Sequence, residues 1–256
     1  MKLIVIGFGF IGKSLIETIN RKIDLLKRVD EDFRVVGVSD RKGYIYNEDG
    51  LNVESLSRIR ETTEYHDNFY ADGTSLELIE RGSADLMVEA TPTNIKDGEP
   101  GLTHIREALK RGINVVTANK GPLVVAFKEL KTIAEKSGCE FRFEGTVAGA
   151  MPVFSLVNEC LQGDKILRVS GILNGTTNFV LSKMYFEGTS FEIALKEAQE
   201  RGLTEKDPAY DVDGIDAACK VVILANALMG RDVKFKDVER TGIRGITSEA
   251  VSLAKR

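Results

Sequence analysis

Cysteine is scarce in this chain: Cys139, Cys160 and Cys219 are the only three in 256 residues, and no two stand at CxxC spacing. An odd number without that spacing argues against a disulfide framework and against a structural zinc site, and it makes the cytoplasm the default compartment. Long apolar runs are missing too. None approaches the roughly 20 residues that a bilayer helix needs, which removes the membrane-spanning class. The opening MKLIVIGFGFIG has neither an apolar stretch of adequate length nor a small-residue cleavage site, so it is not read as a secretory signal. There is no excess of positive charge: 35 basic against 39 acidic residues leave a formal charge of -4, with nothing in reserve for neutralising a phosphate backbone. Nucleic-acid binding is therefore not expected as a primary role. Low-complexity linkers and internal repeats are also absent.

What remains, 43% hydrophobic and 29% charged residues, is enough to bury the core of an ordinary globular protein of one or two domains. The first half alternates short β-rich runs with helical patterns, the signature of βαβ units. Strands are predicted at KLIVI (2–6), RVVGVSD (34–40), DLMVEAT (85–91), NVVTAN (114–119) and EFRFEG (140–145). Their continuous apolar character fits a parallel sheet covered on both faces. Helical spacing marks IGKSLIETINRKIDLL, GLTHIREALKRG and LVVAFKELKTIAEKSG, the last two closed by Gly112 and Gly138. Residues 41–68, polar and poorly periodic, read as a surface excursion. The rhythm then changes to one strand, KILRVSGIL (165–173), among helices. The expected fold is α/β: a Rossmann-type, doubly wound parallel sheet in residues 1–138, then a smaller α+β domain in residues 139–256.

Gly7, Gly9 and Gly12 form GxGxxG between the first strand and its helix, with Phe8, Phe10 and Ile11 filling the turn. Gly7 permits the tight turn, Gly9 lets a pyrophosphate approach the backbone, and Gly12 lets helix and strand pack closely. The helix N-terminus supplies free N–H groups and the positive end of its dipole. Asp40, at the end of the second strand, is placed to accept from a ribose, while Arg41 and Lys42 beside it suit a 2′-phosphate. The choice between NAD and NADP stays open. Thr91, ending the strand at 85–91, joins these candidate cofactor residues. Lys120 in TANKGPL lies just past a buried strand, at the carboxyl edge where open α/β sheets bind ligands. There it can hydrogen-bond a nicotinamide ribose or a substrate oxygen and take part in proton transfer.

GLTEKDPAYDVDGIDAACK gathers Glu205, Asp207, Asp211, Asp213 and Asp216 within twelve residues and closes on Lys220. Asp216 and Lys220, four apart, share one face of an otherwise apolar helix. EF-hand spacing is missing. Carboxylates facing a lysine suit a small amino acid, the acids taking its ammonium and the lysine an alcohol or carbonyl oxygen; a structural ion pair is the alternative. SGILNGTTNF turns at Asn174–Gly175 into a helix start at Thr176, which fits either carboxylate binding or simple capping. EGTVAGAMP leaves carbonyls that must pair, for which a hard cation is one option.

In order and spacing, GFGFIG, TANKGPL, EGTVAGAMP, SGILNGTTNF and TEKDPAYDVDGIDAACK resemble the homoserine dehydrogenases, over nearly the whole chain. The resemblance implies NAD(P)-dependent interconversion of L-homoserine and L-aspartate 4-semialdehyde, on the route to threonine, methionine and isoleucine, by a homodimer whose second domain binds substrate and dimerises. Lys120 and Lys220 match the family's two catalytic or contact lysines. Glu205, Asp211 and Asp216 match acidic positions around the substrate amino group, and Gly175 with Thr176 the turn at the substrate. Glu144 and the main chain at Val147, Gly149 and Met151 match a loop for a monovalent cation, sodium or potassium. Family chains usually run some tens of residues beyond the position of Arg256, so the resemblance implies a chain shortened at its C-terminus.

Two other readings compete. Aspartate-semialdehyde dehydrogenase needs an activated cysteine nucleophile, and none of the three stands in an activating context. A dinucleotide-sensing module without catalysis requires a solvent-facing acidic cluster.

Overall fold

Lys2–Ile6, the apolar run that opens the chain, forms strand β1 at the centre of a seven-stranded sheet. The structure, a computed structural model, describes residues 1–65, 67–81, 83–204 and 207–255. It divides into two units, Met1–Met151 and Pro152–Arg256. No helix among the described residues is long and apolar enough to cross a membrane.

In the first unit the elements follow as α1 (Phe10–Val29), β2 (Arg34–Asp40), β3 (Gly43–Tyr46), α2 (Val53–Arg58), β4 (Phe69–Ala71), α3 (Ser75–Arg81), β5 (Leu86–Glu89), α4 (Gly101–Lys110), β6 (Asn114–Thr117), α5 (Lys120–Ser137) and β7 (Phe141–Arg142). The strand order is β4-β3-β2-β1-β5-β6-β7. The β2-β1-β5-β6-β7 run is parallel throughout. Ile4, Val5 and Ile6 are completely buried, as a central parallel strand requires. The chain passes from β1 to β2 on one side and later to β5 on the other, so the carboxyl ends of β1 and β5 flank a topological switch point, where doubly wound sheets open a ligand crevice.

The sheet is mixed rather than wholly parallel. β3 pairs antiparallel with β2, and β4 with β3. Residues 41–68 are thus not a bare surface excursion: they return as a hairpin strand and lead through α2 to β4. Tyr44 and Tyr70 stack across this edge with ring centroids 4.7 Å apart, and the Arg81 guanidinium lies 4.3 Å from the Tyr70 ring. The stretch before Asp40 lengthens helix α1, which runs to Val29 with a kink at Lys22. Strand β7 holds only two residues before a 3₁₀ turn at Glu144–Thr146. Because β7 pairs with β6, residues 139–151 belong with the sheet, and the division falls at 151/152 where the sequence reading draws it at 138/139.

The second unit contains α6 (Val153–Cys160), α7 (Gly175–Glu187), α8 (Phe191–Glu200), α9 (Ala209–Val212), α10 (Ile215–Met229) and α11 (Ser248–Ala254). Val180 and Met184 of α7 pack against Ala194 and Ala198 of α8. Helix α10 is the most buried, with Val222 and Ile223 fully enclosed. Residues 165–173, expected as a strand, pair with none among the described residues, and Leu167 and Ile172 stand 76% and 73% exposed. A strand exists only by pairing, so alternation alone does not make one.

Candidate functional site

The turn from β1 into α1 is shaped by its glycines. Gly7 has φ of +98°, and a Cβ built there would lie 2.7 Å from the carbonyl of Ala90; one on Gly12 would lie 2.0 Å from the Gly7 oxygen. Strand, turn and helix are therefore too close for side chains at either position. Gly9 differs: it caps α1 without a side-chain hydrogen bond, and a Cβ on it would meet nothing within 4 Å. The first turn of α1 thus presents N–H groups to an open space that a diphosphate fits. Phe8 turns its side chain into the core, leaving only its main chain at the turn, whereas Phe10 and Ile11 are exposed.

Beside this turn, Asp40 ends β2. One of its carboxylate oxygens accepts from the Lys42 N–H at 2.7 Å and the other from the Thr62 N–H at 3.0 Å. Lys42 is ion-paired with Glu61, which raises its pKa. Arg41 is exposed and makes no ion pair among the described residues. On the other side of β1, Thr91 follows β5 and Asn119 follows β6. Asn119 caps α5 through the Gly121 N–H at 3.0 Å and donates to the Thr91 hydroxyl at 3.2 Å. Lys120 is the first residue of α5 and half-buried, not a loop residue. Gly7–Gly12, Asp40, Thr91 and Lys120 all lie at the carboxyl ends of parallel strands.

After β7 the backbone folds back on itself. Glu144 is half-buried, Val147 is buried, and Ala148 and Gly149 both take left-handed conformations, with φ of 65° and 60°. The Met151 N–H donates to the Ala148 carbonyl at 3.2 Å. No group of three or more His, Cys, Asp or Glu gathers for a metal among the described residues. A cation here would rest on main-chain carbonyls with one carboxylate, a donor set for a hard ion.

In the second unit, α10 brings Asp216 and Lys220 together: Nζ lies 2.6 Å from Oδ2 and also donates to the Leu173 carbonyl at 2.5 Å. Asn174 joins the acids. It caps α7 by accepting from the Thr177 N–H at 2.8 Å, and its amide donates to Asp211 at 2.7 Å and to Asp216 at 3.1 Å. Thr204 donates to the other Asp211 oxygen at 2.7 Å. Thr176 is buried, its hydroxyl held by the Leu203 carbonyl at 2.9 Å, so Gly175 and Thr176 offer main chain to a ligand. The rest of the acidic cluster disperses. Asp213 pairs with Arg244, which lowers its pKa, and Asp207 caps the turn into α9 through the Ala209 N–H. Glu205 lies outside the described residues. Asn174, the hub of the cluster, had shown in the sequence only as a turn former; its place before a helix was the available signal.

A doubly wound sheet with an open glycine turn at its switch point is the architecture of an NAD(P)-dependent oxidoreductase. Family models agree with it: the NAD-binding domain of homoserine dehydrogenase matches residues 7–144, and homoserine dehydrogenase matches residues 152–256. The chain belongs to the homoserine dehydrogenase family. It is 46% identical to the homoserine dehydrogenase of Methanocaldococcus jannaschii, over 100% of the chain and 77% of that protein. It is 37% identical to an NAD(+)-dependent homoserine dehydrogenase of Pseudomonas canavaninivorans, over 100% of the chain and 74% of that protein. Among solved structures, a homoserine dehydrogenase candidate from Archaeoglobus fulgidus superposes with a TM-score of 0.89 at 40% identity, covering 100% of this chain and 76% of that one. A hyperthermophilic archaeal homoserine dehydrogenase in complex with NADPH gives 0.77 at 28% identity, over 96% and 74%.

Proposed function

We propose that the chain interconverts L-homoserine and L-aspartate 4-semialdehyde with NAD or NADP. The observation that carries this reading is the Asn174–Asp211–Asp216–Lys220 cluster, in which a lysine is held by a buried carboxylate and a main-chain carbonyl. When bound, the reduced nicotinamide supplies the hydride to the aldehyde carbon. Lys220 donates the proton that the new alkoxide needs. An ammonium has three donors. Asp216 and Leu173 take two, which fixes the group and leaves the third for a substrate oxygen. Asp211 with Glu205 receives the substrate ammonium, and the main chain of Gly175 and Thr176 the carboxylate. Lys120 at the start of α5 holds the nicotinamide ribose or the substrate oxygen, and the turn Gly7–Gly12 holds the pyrophosphate. Arg41, Lys42 and Asp40 set the preference between the two cofactors. The loop of Glu144, Val147, Gly149 and Met151 takes a sodium or potassium ion.

The same reading makes the active form a homodimer. Its support is the 165–173 segment, largely apolar, exposed and without a strand partner among the described residues of its unit. A cytoplasmic location accords with three free cysteines. Two of the three cysteines do not favour an acyl-transfer dehydrogenase, since Cys219 is fully buried and burial pushes the Cys139 thiol up, away from a reactive thiolate, while the exposed Cys160 ends the apolar run of α6. Nor does the acidic cluster face solvent as a mere sensing module requires, since Asp216 is buried.

The test follows loss of reduced-nicotinamide absorbance with aspartate semialdehyde, with aspartyl phosphate as the control. Turnover with the aldehyde alone is expected; turnover with the acyl phosphate alone would reverse the assignment. Sedimentation of the parent and of Leu167→Asp reads the dimer.

A further inference from the structure

Glu89, the last residue of β5, is fully buried. A carboxylate removed from water persists only where its oxygens find donors. One oxygen accepts from the Thr91 main-chain N–H at 3.0 Å and from the Thr91 hydroxyl. The other accepts from the Thr117 hydroxyl at 3.1 Å. The Thr117 hydroxyl in turn accepts from the Asn119 N–H at 3.0 Å, and the Asn119 amide donates to the Thr91 hydroxyl at 3.2 Å. Glu89, Thr91, Asn119 and Thr117 therefore form a closed ring of hydrogen bonds across the carboxyl ends of β5 and β6. Both threonine hydroxyls donate to the carboxylate and accept from asparagine, so each uses its one proton and one of its two lone pairs. The ring has no slack. A Cβ on Gly101, at the start of α4, would lie 3.2 Å from the Glu89 carboxyl carbon and 2.6 Å from the Asn119 amide nitrogen. His104 of α4 stands 4.0 Å from the carboxylate, its Nδ1 buried without a hydrogen-bond partner among the described residues.

The place of the ring gives it a role. In a doubly wound sheet the pyrophosphate sits at the turn after β1, and a ribose hydroxyl meets the end of the strand on one side, here Asp40 of β2. The nicotinamide half then extends to the other side, over β5 and β6, where Thr91 and Lys120 stand. We propose that Glu89 is a positioning residue for that half of the dinucleotide: it fixes the Thr91 main chain and, through Thr117 and Asn119, the start of α5 that carries Lys120. This rests on the assignment of the edge to the cofactor.

The experiment compares calorimetric binding of NADH and NADPH with that of ADP, which shares the adenosine and pyrophosphate but lacks the nicotinamide riboside. Glu89→Ala is expected to weaken the dinucleotides by about tenfold or more, the scale of lost charge-assisted hydrogen bonds, and ADP by less than about twofold. Glu89→Gln should restore dinucleotide affinity to within about threefold, because its oxygen still accepts from Thr91 and its amide can donate to Thr117, whose hydroxyl already lies 3.1 Å from the Glu89 main-chain oxygen. If Glu89→Ala does not fold, Thr117→Val, which keeps the side-chain shape and removes the hydroxyl between Glu89 and Asn119, is expected to give the same split between ligands. Equal losses for ADP and dinucleotide, no loss for either, or a Gln variant as weak as Ala would overturn the proposal. Gly9→Val serves as the control on the site itself: if it leaves all three ligands bound, the cofactor assignment of this edge fails, and not the ring alone.

Discussion

Asp216 and Lys220 meet on one face of α10 at 2.6 Å, and Asn174 lies against the same Asp216 oxygen at 3.1 Å. The lysine is thus held by a carboxylate that is itself fixed from a second helix. Lys220→Ala is expected to bind NADPH normally and to lose about 10²- to 10⁴-fold in kcat, the range of general acid–base groups. Asp211→Asn should mainly raise KM for the amino-acid substrate, as removal of an anchor used equally in ground and transition states does. Steady-state kinetics in both directions check this; near-normal kcat in Lys220→Ala would remove it as the proton donor.

Asn174→Ala affects stability and site together. Loss of the α7 cap should lower unfolding free energy by about 1 kcal/mol, and loss of its amide leaves Asp211 and Asp216 without their shared donor. Chemical denaturation and substrate KM are the measurements. A variant with unchanged stability would contradict the capping role.

Gly9→Val tests the pyrophosphate turn. With nothing within 4 Å of a built Cβ, the fold has room for the side chain, so the melting temperature should stay close to the parent's. The valine instead fills the space open to the diphosphate, and dinucleotide binding should vanish from calorimetry.

Cofactor preference should depend more on Arg41 than on Lys42, because Lys42 already pairs with Glu61. Arg41→Ala is expected to weaken NADPH about tenfold more than NADH if its guanidinium meets the 2′-phosphate. Glu61→Gln releases Lys42 and should move affinity the other way, toward NADPH. Equal changes for the two cofactors would make both basic residues plain surface charges.

Alkaline stability gives a test within the second unit. Tyr210 is half-buried, and its hydroxyl meets the Cys219 sulfur at 3.5 Å; burial pushes its phenol above the usual value near 10. The folded chain therefore holds this proton more tightly than the unfolded chain does. That contribution is complete below about pH 10 and fades as the unfolded phenol ionises above it. Tyr210→Phe should show a shallower fall in stability above that pH than the parent. Parallel curves would exclude the tyrosine as a source of the loss.

Buried parallel strands were easy to read. Their two-sided cover makes them continuous apolar runs, so Lys2–Ile6 and Arg34–Asp40 were found at their observed bounds. Lys120 is legible just past a buried strand, but the periodic pattern starts the following helix at Leu123, whereas α5 begins at Lys120 itself. A proline in the first turn loses no helical hydrogen bond, and Asn119 caps the start ahead of it. The spacing of Asp216 and Lys220 revealed their pairing within one helix. It did not reveal Asn174, which reaches these acids from 37 and 42 residues away. Glu89 was hidden for the same reason: inside an apolar strand an acid looks like an interruption until Thr117, 28 residues on, comes beside it. The 165–173 segment shows the opposite error. Its pattern suits a strand, but pairing depends on a neighbour that a local window does not contain.

The sheet ends in very short strands, β4 with three residues and β7 with two. Each rim therefore exposes few unpaired N–H and C=O groups to a passing chain, and on the β4 side Arg81 lies against the outer tyrosine and places a charge there. Edge-to-edge growth of this unit into aggregates has little template to start from.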